Sequence, residues 1–224
     1  MPLLTCYYPS SNSAVYIVHL DVLQRRLGVP SQRQHLLAQL SEDEHAQYTC
    51  KPYKRQALAW LGARLGAKWL LKNTLFSALP SAEIQIKKTA NGAPFCARSG
   101  RPLSISHSNT LAGAAIGDHP VGLDLEFSER FSALPTPWIS PQEKQAHPNL
   151  SISQLWCIKE ALYKAAGFGP FTQFCSAVEL EHTTHKQLTV RNAIHKKQPI
   201  QKTWRYNRWQ LKQHDILFLE PYYE

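Results

Sequence analysis

The stretch VGLDLEF, residues 121–127, decides how this chain is read. Val121, Leu123, Leu125 and Phe127 occupy alternate positions, the period of a β-strand, so Gly122, Asp124 and Glu126 share its other face. Downstream, QLWCIKEALYKAAG (154–167) changes to helical spacing. Leu155, Ile158, Leu162 and Ala165 form its apolar stripe, Ser153 is the expected N-cap and Gly167 the expected stop. Between them Pro135, Pro137, Pro141 and Pro148 mark a loop-rich connection, interrupted at SPQEKQ (140–145) by a short capped helix.

Upstream, LAGAAIG (111–117) and VGLDLEF flank Gly117–Pro120, which predicts a β-hairpin. SISHS (104–108) reads as a short strand with Ser104, Ser106 and Ser108 on one face and His107 on the other. Ile84 and Ile86 alternate with polar residues as in a half-buried strand, and TANGAP (89–94) is a turn. Residues 41–72 read as helical, opened by the cap signal SEDEH, with Leu58, Leu61, Leu65 and Trp69 at helical spacing. The basic stripe Arg64, Lys68 and Lys72 on that helix reads as a solvated face. Beyond Gly169, the AVEL, QLTV, TWRYNRWQL and DILFLE segments read as antiparallel strands. Helices and strands mixed without a βαβ rhythm predict an α+β protein.

The chain has 224 residues, of which 43% are hydrophobic, enough for one large domain or two small ones. No apolar run reaches the roughly 18 residues that a membrane helix needs, and the N-terminal MPLLTCYYPS has no signal-peptide pattern, so a cytoplasmic protein is expected. Five widely spaced cysteines without a C-x-x-C are expected to be buried, reduced thiols. The net charge of +9 favours an acidic partner.

Two carboxylates on one strand face stand roughly 6.5–7 Å apart, a gap that a hard cation such as Mg²⁺ closes, though two solvated acids would give the same pattern. Trp156, Glu160 and Lys164, spaced i, i+4, i+8, share one helix face, which adds an acid and a base. Together they suit Mg²⁺-assisted pyrophosphate chemistry; alone, Glu160 and Lys164 are an ordinary helical ion pair. His182 and His185 form an H-x-x-H without a third ligand, and WRYNRW (204–209) suits paired strands as well as base stacking.

Three segments in this order, SISHS, GLDLE (122–126) and WCIKEALYKAAG (156–167), with SPQE (140–143) between the last two, resemble the 4′-phosphopantetheinyl transferases of the surfactin-synthetase-activating type. The resemblance spans about residues 48–167. It implies a monomeric pseudo-dimer of two similar α+β subdomains, 1–118 and 119–224, with the active site in the cleft between them. It implies transfer of 4′-phosphopantetheine from coenzyme A to a serine of an acidic acyl or peptidyl carrier protein. By the same resemblance Asp124, Glu126 and Glu160 hold Mg²⁺, with Mn²⁺ possible, and Glu160 and Lys164 are catalytic. Lys51, Arg55, Lys88, Gly92, Ser106, His107 and Lys164 bind coenzyme A.

One departure stands out: the family commonly carries G-K-P ahead of the SHS element, where this chain reads Gly92-Ala93-Pro94. Lys87, Lys88, Arg98 or Arg101 is expected to supply the charge instead. Two rivals are a metal-dependent nuclease and a catalytically silent carrier-binding relative. The nuclease lacks its usual strand-borne Glu-x-Lys, since Ser128 follows Glu126 by two. Neither a nucleic-acid nor a membrane partner is expected.

Overall fold

The structure, a computed structural model, describes residues 2–129, 138–166, 170–183, 187–192 and 203–222. Pro135, Pro137, Gly167, Gly169, His185 and the side chain of His182 lie outside the described residues. The chain divides into two compact units, Met1–Asp118 and His119–Glu224.

In the first unit β1 (Leu4–Ser10) and β2 (Ser13–His19) form a hairpin, followed by α1 (Leu20–Leu27), α2 (Pro30–Leu37), α3 (Glu42–Thr49) and α4 (Lys54–Thr74). The small hairpin of β3 (Ile86–Lys88) and β4 (Pro94–Cys96) comes next, then β5 (Leu103–Ser108) and β6 (Leu111–Ile116). The main sheet is antiparallel in the order β1-β2-β6-β5, and α4 packs on β2, β5 and β6. Leu61 and Leu65 are fully buried there because the i, i+4 spacing keeps them on one side of α4.

The second unit opens with β7 (Gly122–Phe127), followed by α5 (Pro141–Ala146), α6 (Ile152–Ala166) and α7 (Phe171–Ala177). It closes with β8 (Val178–Thr183), β9 (Gln187–Asn192), β10 (Thr203–Leu211) and β11 (His214–Pro221). The antiparallel sheet runs β7-β11-β10-β9-β8, and α6 lies on β7 and β11. Leu155, Ile158 and Leu162 are buried as their spacing predicts, whereas Ala165 is half-buried. Phe171 and Phe174 of α7 pack edge-on against Tyr163 of α6, with ring centroids 5.1 and 5.3 Å apart.

Both units use the same order. A strand (β2 or β7) leads to a short capped helix (α3 or α5), a long helix (α4 or α6) and a hairpin whose last strand (β6 or β11) returns to pair with the first. Both also use one locking device. The short helix starts with a capping box, Ser41 with Glu44 or Ser140 with Glu143. The same glutamate then meets a buried lysine of the long helix: Lys68 Nζ is 2.7 Å from Glu44 Oε2, and Lys159 Nζ is 2.8 Å from Glu143 Oε1. Each lysine also donates to carbonyl oxygens, those of Ser81 and Ile84 for Lys68, those of Trp138 and Cys175 for Lys159.

Several sequence expectations are corrected. The 111–127 hairpin does not form: β6 is already paired on both edges, by β2 and β5, so β7 pairs with β11 in the other sheet. Helix 41–72 is two helices, α3 and α4, separated at Pro52, whose ring removes a donor and disfavours helix at Lys51. Arg64 and Lys68 are not a solvated stripe but buried, because Glu44 and the carbonyls of Ile86, Ser81 and Ile84 satisfy their donors. Ser151 rather than Ser153 caps α6, accepting from the Gln154 N–H while Gln154 Oε1 accepts from the Ser151 N–H. All five cysteines are free, but Cys6 and Cys50 are exposed.

Candidate active site

Gly122 sets the spacing between β7 and α6. A Cβ there would stand 1.9 Å from the carbonyl oxygen of Ala161, so only glycine lets strand and helix backbones come this close. One turn on from Ala161, Lys164 reaches across to β7. Its Nζ donates to Asp124 Oδ1 at 2.7 Å and to the Leu123 carbonyl oxygen at 3.1 Å, and lies 3.5 Å from Glu160 Oε2 on its own helix. Asp124 and Glu126 are both only 3% exposed, which removes the reading of two solvated acids on a wet sheet face. Trp156, on the same helix face, is buried edge-on against Phe171.

The electrostatics follow from this packing. Burial pushes the Glu160 carboxyl above its ordinary pKa; the Asp124 charge adds to the rise, which Lys164 only partly offsets. Burial would lower Lys164, but the Asp124 and Glu160 carboxylates outweigh it and hold the ammonium above its usual value. Burial, reinforced by the charges of Asp124, Glu126 and Asp215, raises the Cys157 thiol well above its usual range and keeps it protonated.

Asp215 is a site residue that motif reading missed. It stands directly opposite Glu126 in the β7–β11 register, on the same sheet face, and is 1% exposed. Ser128 Oγ donates to its Oδ2 at 2.9 Å, and Gln154 Nε2 to its Oδ1 at 3.1 Å. The sequence offered one signal, an aspartate opening the apolar run DILFLE.

These donors suit a hard cation in kind: Asp124, Glu126, Glu160 and Asp215 all offer carboxylate oxygens. As the side chains stand, no group of three or more His, Cys, Asp or Glu among the described residues is arranged to hold a metal ion. Lys164 sits on Asp124 Oδ1, and Glu126 Oε1 accepts from the Phe127 N–H at 2.9 Å.

The other sequence-selected residues belong to the first unit. Ser106 is buried and His107 exposed on β5, the alternation expected of an extended strand. Arg55 Nη2 donates to Asn109 Oδ1 at 2.9 Å, tying the start of α4 to the β5–β6 turn, where Asn109 has φ 43°. Lys51 instead lies over the Trp60 ring, 5.7 Å from its centroid. Lys88 and Gly92 are exposed on the β3–β4 hairpin, with Gly92 at φ 84° in its turn. Thus Arg55 joins the turn that follows Ser106 and His107, while Lys51 is held at Trp60 and Lys88 and Gly92 on their own hairpin.

Residues 120–219, nearly the whole second unit, match the family model described as the 4′-phosphopantetheinyl transferase superfamily. The match contains Asp124, Glu126, Glu160 and Lys164 and shows that this part of the chain is similar to that superfamily, without singling out a type within it. No curated protein matches the chain. No described helix is long and apolar enough to cross a membrane.

Proposed function

From the similarity of residues 120–219 to the 4′-phosphopantetheinyl transferase superfamily, we propose that this protein transfers the 4′-phosphopantetheine arm of coenzyme A to a serine of an acyl or peptidyl carrier protein, with Mg²⁺ or Mn²⁺ as cofactor. The observation that carries the reading is the meeting of buried Asp124 and Glu126 with Glu160 and Lys164, from one strand and one helix of the matched region. Asp124, Glu126 and Glu160 would hold the cation. Bound there with the pyrophosphate of coenzyme A, it would neutralise charge on the phosphate oxygens.

The chain's own groups supply the rest. Lys164 keeps its proton, because Asp124 and Glu160 stabilise the ammonium, and donates to a phosphate oxygen. Glu160 takes the proton of the carrier serine, directly or through a water, as the serine oxygen attacks the β-phosphorus. The new P–O bond replaces the bond to the α-phosphate, and 3′,5′-ADP leaves. In the first unit Ser106, His107, Lys88 and Gly92 would grip the nucleotide phosphates, with Lys51 and Arg55 on the 3′-phosphate. The net charge of +9 favours an acidic carrier. The strand–helix–helix–hairpin order common to both units supports the finer reading of a monomeric pseudo-dimer of the surfactin-synthetase-activating type.

Lys164 seated on Asp124 where a cation would bind, together with Ala93 in place of the family's lysine, favours one second reading: a silent carrier-binding relative. Intact-mass spectrometry separates the two. Apo carrier proteins incubated with this protein, coenzyme A and Mg²⁺ are expected to gain one phosphopantetheine, and EDTA is expected to abolish the gain. Carrier binding without any mass gain overturns the transferase reading.

A further inference from the structure

A cavity of about 430 Å³ lies within the first unit, within the range of roughly 300–1,000 Å³ typical of small-molecule sites. Three basic side chains line it, each from the last turn of a different helix: Arg26 of α1, His35 of α2 and Lys72 of α4. No carboxylate is among its lining residues. Neither Arg26 nor Lys72 has an ion-pair partner among the described residues, whereas the adjacent Arg25 lies 3.8 Å from Asp21. A cation at a helix C-terminus complements the helix dipole, which accounts for Arg26 and Lys72 separately. It does not account for three helices delivering two cations and an imidazole to one concavity.

Apart from Gln39 and Ser81, the remaining wall is apolar. Leu3 and Leu36 contribute to it, and Trp69 is fixed there by its indole N–H, which donates to Gln39 Oε1 at 2.5 Å. We infer that this cavity binds a small organic anion: a phosphate, sulfate or carboxylate head on an apolar or aromatic body. The head meets Arg26, Lys72 and His35, where charge-assisted hydrogen bonds form, and the body lies against Trp69 and Leu36. The inference uses none of the residues assigned to phosphopantetheine transfer and stands or falls separately from that reading.

The test is a titration of the full-length, ¹⁵N-indole-labelled protein with 1-naphthyl phosphate, followed by NMR, with 1-naphthol and inorganic phosphate as controls. The Trp69 indole resonance, assigned by its loss in Trp69→Phe, is expected to shift saturably with 1-naphthyl phosphate. Neither control is expected to match its affinity. Arg26→Gln and Lys72→Gln are each expected to weaken binding about tenfold, with the other indole resonances unmoved as a check on folding. A Trp69 signal that stays fixed, equal binding of 1-naphthol, or wild-type affinity in both variants overturns the inference.

Discussion

Gly122 and Ala161 meet backbone to backbone: the strand carrying the acids and the helix carrying Glu160 and Lys164 are as close as a missing Cβ permits. Gly122→Ala must push β7 from α6 and drag Lys164 off Asp124. Overpacking against backbone is expected to cost about 1–3 kcal/mol or more. Denaturant unfolding checks the stability, and the carrier mass assay checks for a loss of turnover beyond the loss of folded protein. Wild-type stability in the variant would contradict this close contact.

Glu160 tests the pKa assignment through stability. Its carboxyl is raised in the folded state, so the folded protein favours the protonated form more than the unfolded chain does. That contribution is fully present below the ordinary carboxylate pKa and is lost as pH rises through the raised folded value. Glu160→Gln, measured in EDTA, is therefore expected to melt higher than the wild type at neutral pH, with the gap closing as the pH falls below the ordinary carboxylate range. The same variant is expected to lose carrier modification. A lower melting temperature at neutral pH would show that the Lys164 pairing outweighs burial.

Asp215 faces Glu126 across β7 and β11, so it adds negative charge where a cation is proposed to bind. Asp215→Asn preserves shape and hydrogen bonding, with Oδ1 still accepting from Gln154 and the new Nδ2 donating to the Ser128 hydroxyl once it has turned. It is expected to weaken Mn²⁺ affinity roughly tenfold, read by electron paramagnetic resonance of free Mn²⁺. Unchanged affinity would leave Asp215 with a purely structural role.

Lys159 and Lys68 lock the two units in the same way. Removing the Lys159 ammonium leaves buried Glu143 without its cation, so Lys159→Ala is expected to cost about 3–5 kcal/mol in denaturant unfolding, and Lys68→Ala less, because Arg64 stays 3.7 Å from Glu44 Oε1. Adding Glu143→Leu to Lys159→Met is expected to recover part of the loss, because no buried charge is then left unpaired. A double variant less stable than Lys159→Met alone would refute that reasoning.

Local periodicity was enough to read β7, α6 and the C-terminal strands, because side-chain alternation and the i, i+4 repeat are properties of neighbouring residues. It also put Asp124 with Glu126, and Glu160 with Lys164, on common faces. The N-terminal hairpin and α7 carry weaker patterns and went unread. α7 is short, and FTQFCSA owes its helix to the packing of Phe171 and Phe174 on α6.

Partnerships between distant residues belonged to the tertiary structure alone. LAGAAIG and VGLDLEF looked like a hairpin, yet β6 has its two edges filled by β2 and β5, and a strand has only two edges. Arg64 and Lys68 looked solvated, since nothing near them in the chain announces that Glu44 and three backbone carbonyls arrive to replace water. Asp215 reaches Glu126 only through the register of two strands separated by the whole second unit. Residue order dictates faces and caps because those depend on bonds and turns a few residues long. Which charge is buried, and against what, depends on contacts that form only when the chain closes on itself.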